Sequence, residues 1–107
     1  MVKRVALVRR KVGMSREAFW EHYAGPHAAI VGGMPGLRRM VLSKPVGAQS
    51  SDWDAVGELW FDTREALEQA FADPAIAAQL AVDRPLFLGG VEAVIVEDVL
   101  CWPDTSA

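Results

Sequence analysis

The chain holds two histidines, five residues apart, in the run Phe19-Trp20-Glu21-His22-Tyr23-Ala24-Gly25-Pro26-His27. An imidazole titrates near pH 6.5, so it suits the giving and taking of protons at neutral pH. At about 100° per residue, Phe19, Tyr23, His27 and Ile30 fall within a quarter turn of a helix, with Trp20 and Val31 close by. That spacing places His27 inside an aromatic face, where burial favours the neutral, basic ring. The competing reading is a structural histidine, bonded to a carbonyl that Pro26 leaves free. His22 lies about 140° around the helix from His27, at the edge of the polar side, which predicts a surface position. The same offset argues against a metal site, since paired histidines on a helix prefer a spacing of three or four, and no third ligand stands out. Tyr23 shares the His27 face and could hydrogen-bond a substrate or the imidazole. The plainer alternative is a half-buried core ring.

Other candidates are sparser. Glu58 is the lone carboxylate in an apolar segment. Its expected role is an ion pair or hydrogen bond on the face towards the dimer partner, for instance with an arginine of the first strand. Gly57, beside it, leaves room for a cleft or marks a bulge. Asp83, in Asp83-Arg84-Pro85, could order a loop, reach a cleft mouth, or simply pair or cap at a helix end. Phe71, Phe87 and Leu88 read as core, with Phe87 also able to line a pocket. Gly32-Gly33 and Pro35-Gly36 serve chain geometry, because no phosphate-loop Lys-Ser/Thr follows them. The chain has no paired carboxylates in one element, no nucleophile–base motif and no cofactor fingerprint, so proton transfer is the chemistry its residues suit.

These residues must be positioned by few elements. Residues 3–10, rich in Val and Leu, predict a strand. Ser15 caps a helix that opens with a carboxylate at Glu17, in the positive first turn. The helix should run to about Ala24 and then kink or break at Gly25-Pro26, with a short second helix through Val31. Residues 37–44 predict a second strand and 54–61 a third, whose alternation turns Ala55, Gly57, Leu59 and Phe61 towards the helices. Between them, Pro45 to Asp52 reads as a loop. Thr63 caps the next helix, and Asp73-Pro74 starts another to Val82. The last strand is expected at 91–100. Two strand–helix–strand halves predict an α+β, ferredoxin-like fold: a four-stranded antiparallel sheet with helices on one face. Val56 and Trp60 are too apolar for a solvated opposite face, so a second copy of the chain is expected there.

The whole chain agrees with one such unit over residues 1–107, ordered from about 2 to 102. Its 107 residues are 51% hydrophobic and 23% charged, a globular composition. The net charge of -3 and the scattered basic residues argue against a nucleic-acid partner. Cys101 is the single cysteine, which excludes an internal disulfide. No run is long enough for a signal or a membrane span, so a cytoplasmic protein without a membrane partner is expected.

With these elements placed, the pattern Ser15-Arg16-Glu17-x-Phe19, Tyr23-x-x-x-His27 and Met34-Pro35-Gly36-Leu37-Arg38 resembles the EthD family of dimeric α+β barrel proteins. Glu58-Leu59-Trp60-Phe61-Asp62 and Asp83-x-x-x-Phe87 match its pattern further along. The resemblance implies a homodimer whose sheets pack face to face, with a cleft between helices and sheet in each subunit. It also implies a role among methylmuconolactone isomerases and polyketide dehydratases or cyclases, several of which work without cofactor or metal. Met40 stands where relatives often have tyrosine, and Leu59 where the isomerases have cysteine, so the isomerase chemistry does not carry over intact. The expectation is an enzyme acting without cofactor on a small hydrophobic or aromatic metabolite. His27 would be the general acid or base and Tyr23 its companion. Phe19, Met40, Leu59 and Phe61 would shape the pocket, with Gly57, Asp83 and Phe87 beside them. Two alternatives stay open: a monooxygenase that needs no cofactor, and a non-catalytic carrier of a hydrophobic metabolite.

Overall fold

The computed structural model describes residues 1–47 and 52–103. Residues 48–51 of the expected Pro45–Asp52 loop, and 104–107 of the expected single unit, lie outside the described residues.

Strand β1, Val2–Arg10, is central and alternates in character. Val2, Arg4, Ala6 and Val8 point one way, while Lys3, Val5 and Leu7 point the other. Strands β2 (Arg39–Ser43), β3 (Ala55–Phe61) and β4 (Leu88–Glu97) complete a sheet of order β2-β3-β1-β4. Every neighbouring pair is antiparallel. Helices α1 (Arg16–His22), α2 (Ala28–Gly32), α3 (Arg64–Ala72) and α4 (Pro74–Asp83) lie on one face. This is the ferredoxin-like arrangement that the order of the elements predicts.

The helix starts follow from their caps. Ser15 Oγ accepts from Ala18 N–H at 3.1 Å, Thr63 Oγ1 from Ala66 N–H at 3.1 Å, and Asp73 Oδ2 from Ile76 N–H at 3.2 Å. Each such cap stabilises its helix by about 1 kcal/mol. Beneath the helices the strict alternation of β3 buries Ala55, Gly57, Leu59 and Phe61. One core cluster joins Leu59 and Phe61 to Val31, Met34, Leu67 and Leu80. A second joins Ala6, Val8 and Ala55 to Phe19, Tyr23 and Phe87. Between them remains the space described below.

Three expectations need correction. The last strand begins at Leu88, not 91, because Gly89 and Gly90 belong to it: Gly90 pairs with Arg9 and Leu88 with Arg10 across a register shift. A side chain at Gly89 would collide with the Arg10 carbonyl, so that glycine permits a close backbone approach instead of ending a loop. Glu58 does form an ion pair with the first strand, but through Lys3 at 3.1 Å and not an arginine, since strand alternation sends Arg4 to the opposite face. The helix does not break at Pro26. Tyr23–His27 form a π-helical turn that carries α1 directly into α2. The wide turn relieves the clash of the proline ring with the preceding carbonyls and absorbs its missing N–H.

The far side of the sheet carries Val5, Leu7, Val41, Val56, Trp60, Val94 and Val96, with Lys3 and Arg39 over the Trp60 ring at 5.1 and 4.9 Å. Among the described residues no helix is long and apolar enough to cross a membrane.

Candidate active site

The π turn decides where the histidines point. In an α-helix, residues five apart diverge, whereas the i to i+5 periodicity of a π turn brings them to one side. His22 and His27 therefore converge on a single carboxylate, Asp83, the last residue of α4. His22 Nε2 lies 2.6 Å from Asp83 Oδ1 and His27 Nδ1 lies 2.7 Å from Asp83 Oδ2. The surface position expected for His22 is thus corrected: its side chain is 18% exposed and Asp83 only 5%. Asp83 itself spans two helices and is no simple helix-end cap.

A carboxylate can only accept hydrogen bonds, so both ring nitrogens that face it carry protons. For neutral His27 this fixes the proton on Nδ1 and leaves the lone pair on Nε2. Burial lowers the His27 pKa below its ordinary 6.5, against the raising influence of the Asp83 hydrogen bond and charge. The nearby charges of His22 and Arg84 push it further down. The ring is therefore neutral and basic at pH 7. Tyr23 stacks on it, 5.3 Å between centroids and 13° from parallel, and Phe87 tilts against it at 4.8 Å. Burial pushes the Tyr23 phenol up to about 12, with the Arg4 charge opposing, so Tyr23 stays a hydroxyl donor. Tyr23 also lines the cavity described next.

His27 and Tyr23 wall a cavity of about 380 Å³ between the helices and the sheet. Its other walls are largely apolar: Met40, Leu42, Gly57 and Leu59 from β2 and β3, Ala6 and Val8 from β1, and Phe87 from the turn before β4. Such a volume lies within the usual range of small-molecule sites. Phe19 and Phe61 do not reach it. Both are fully buried, Phe19 behind Tyr23 and Phe61 in the other core cluster. Asp83 likewise stands behind His27 and not at the cavity wall. Arg4 and Arg84 do line the cavity. Neither arginine belongs to a recognisable motif, although the alternation of β1 turns Arg4 towards the helices. Among the described residues no group of three or more His, Cys, Asp or Glu side chains is arranged to hold a metal ion.

Gly57 has a sharper role than open space. A methyl group there would collide with the Tyr23 hydroxyl and touch Leu42, so the missing side chain is what lets the phenol lie against β3. Gly57→Ala must therefore push the Tyr23 ring off its stack on His27. Overpacking of this kind costs about 1–3 kcal/mol. Urea denaturation should show that loss, together with a disturbed His27 ring environment by NMR.

The site and sheet together define a ferredoxin-like α+β protein with a histidine–carboxylate pair at the wall of an apolar cavity. The EthD domain family model matches residues 11–90, and the chain belongs to the EthD family. A protein of Bacillus halodurans, an ethyl tert-butyl ether d (EthD) family member, shares 31% identity with a TM-score of 0.77, over 92% of this chain and 99% of that one. SnoaB from Streptomyces nogalater, a cofactor-independent oxygenase, shares the fold at 18% identity and TM-score 0.73, over 96% and 97% of the two chains. A dimeric ferredoxin-like protein of unknown function from Thermobifida fusca does so at 17% and 0.70, over 89% and 88%. No curated protein matches the chain.

Proposed function

We propose that this chain is an enzyme that uses no added cofactor and moves a proton on an aromatic, polyketide-like or lactone substrate. The observation that carries the reading is the neutral His27, held through Nδ1 by buried Asp83, at the wall of an apolar cavity. In this scheme His27 Nε2 takes a proton from a carbon next to a carbonyl. The C–H electron pair forms a carbon–carbon double bond, the carbonyl π pair moves onto the oxygen, and the Tyr23 hydroxyl donates a hydrogen bond to that oxygen. The imidazolium is stabilised against the Asp83 carboxylate. It then returns the proton, to a second carbon in an isomerisation or to a departing hydroxyl in a dehydration or cyclisation.

The cofactor-independent oxygenase among the structural neighbours supports a second reading, oxidation by O₂ in the same cavity. The two separate cleanly. Turnover of a screened aromatic or lactone substrate under anaerobic conditions should equal that in air on the first reading, and should stop on the second.

The apolar outer face of the sheet supports a homodimer built by packing two sheets face to face, as does the dimeric neighbour of the same fold. Val94 is 56% exposed in the single chain, an unusual place for a β-branched residue unless a partner covers it. Light scattering at micromolar concentration should give twice the chain mass, and Trp60→Glu should shift it to the monomer. A monomeric wild-type protein would contradict this assembly.

A further inference from the structure

The inner face of β1 carries one charge that the proton-transfer scheme does not use. Arg4 faces the helices, and its cross-strand partners are Leu59 on β3 and Ile95 on β4, neither of which can neutralise it. Glu58, the acid on the adjacent strand, points to the other face and pairs with Lys3. Asp83 is occupied by two histidines. Among the described residues Arg4 has no ion pair, and its guanidinium lies over the Phe71 ring, 5.0 Å from the centroid. Arg84, exposed at the rim of the same cavity, has no ion pair among the described residues either. Burial lowers the pKa of Arg4, and the like charge of Arg84 pushes the same way.

A half-buried guanidinium beside a second one, with no acid among the described residues to meet it, carries a desolvation cost. An anion entering the cavity removes that cost. The planar fork of arginine matches a carboxylate and binds it through charge-assisted hydrogen bonds. We propose that Arg4, with Arg84 at the rim, binds the carboxylate of an apolar acid, so that the substrate is an aromatic or lactone carboxylic acid. The carboxylate would sit on β1 beneath Phe71, the ring system against Leu59 and Met40, and the reacting carbon at Tyr23 and His27. This deepens the proton-transfer reading and rests on it for the reaction, while the anion site stands on the placement of Arg4.

The test is calorimetric titration with 2-naphthoate, its neutral amide 2-naphthamide, and 2-naphthyl phosphate. The wild-type protein should bind the acid at least about tenfold more tightly than the amide, the scale of a charge-assisted contact. Arg4→Gln should abolish that preference and His27→Gln should keep it. Equal binding of acid and amide, no binding of either at millimolar concentration, or an unchanged preference in Arg4→Gln would overturn the assignment. Tighter binding of the phosphate than of the acid would overturn the choice of a carboxylate. Should Arg4→Gln not fold, Arg4→Lys and the exposed Arg84→Gln replace it. Each should cut the preference several-fold, and no change in either counts against the proposal. The readout needs no turnover. Lost acid preference with His27-dependent turnover intact sinks only this inference, and the reverse pattern sinks only the proton-transfer scheme.

Discussion

His27→Gln should lower kcat by about two to four orders of magnitude, the usual contribution of a positioned general base. The measurement is steady-state turnover of any aromatic or lactone substrate that the wild-type protein converts. Glutamine is the informative replacement because its amide N–H can still donate to Asp83, so no buried carboxylate is orphaned. Binding should change far less than rate. If the variant keeps full activity, His27 does not move the proton. If neither protein turns anything over yet both bind the acid, the chain is a carrier.

The second large effect is expected at Asp83. In Asp83→Asn one side-chain atom can accept a hydrogen bond, but the other donates, so one of the two histidines must present a lone pair to position 83. Where that ring is His27, the proton moves to Nε2 and the base is lost to the cavity. The expected fall is roughly 10²-fold or more in kcat/KM, as when other histidine bases lose the carboxylate that fixes their tautomer. The pH profile supplies a separate sign. In the wild type the acid limb of kcat/KM should have its midpoint below 6.5, because burial lowers the His27 pKa. Asp83 opposes that shift, so removing its charge should move the residual midpoint lower still. Stability follows by linkage. A histidine with a lowered folded pKa contributes fully above the unfolded value near 6.5, and loses stability as pH falls from there towards the folded pKa. His27→Gln should remove that part of the slope. A limb that does not move in Asp83→Asn would break the link between the carboxylate and the base.

Much of this arrangement is legible in the chain, and the rest is hidden for identifiable reasons. Ser15, Thr63 and Asp73 mark helix starts because a side-chain acceptor is needed where helical N–H groups lack partners. The alternation through Ala55–Phe61 shows which face of β3 is buried, and hence that Gly57 and Leu59 look towards the helices. The shared face of Tyr23 and His27, four residues apart, survives the π turn, and their rings stack. The position of His22 is hidden because an angle of 100° per residue holds only for an α-helix, and Pro26 sits in a wider turn that no propensity scale registers. Asp83 was legible as a family aspartate, but not its bond to both rings, which depends on how α4 packs beside α1. Arg4 was visible in the period of β1 as a charge on the buried face. Recognising it as unpaired required the cross-strand register, which puts Leu59 and Ile95 on either side.

The central claim concerns one nitrogen, and it can be read without a substrate. Long-range ¹H–¹⁵N correlation spectra of the imidazole rings, followed through a pH titration, report the tautomer and pKa of His27 directly. The account predicts a neutral ring at pH 7, protonated at Nδ1 and bare at Nε2, that titrates below 6.5. A proton on Nε2 at pH 7, or an imidazolium still present there, would contradict it.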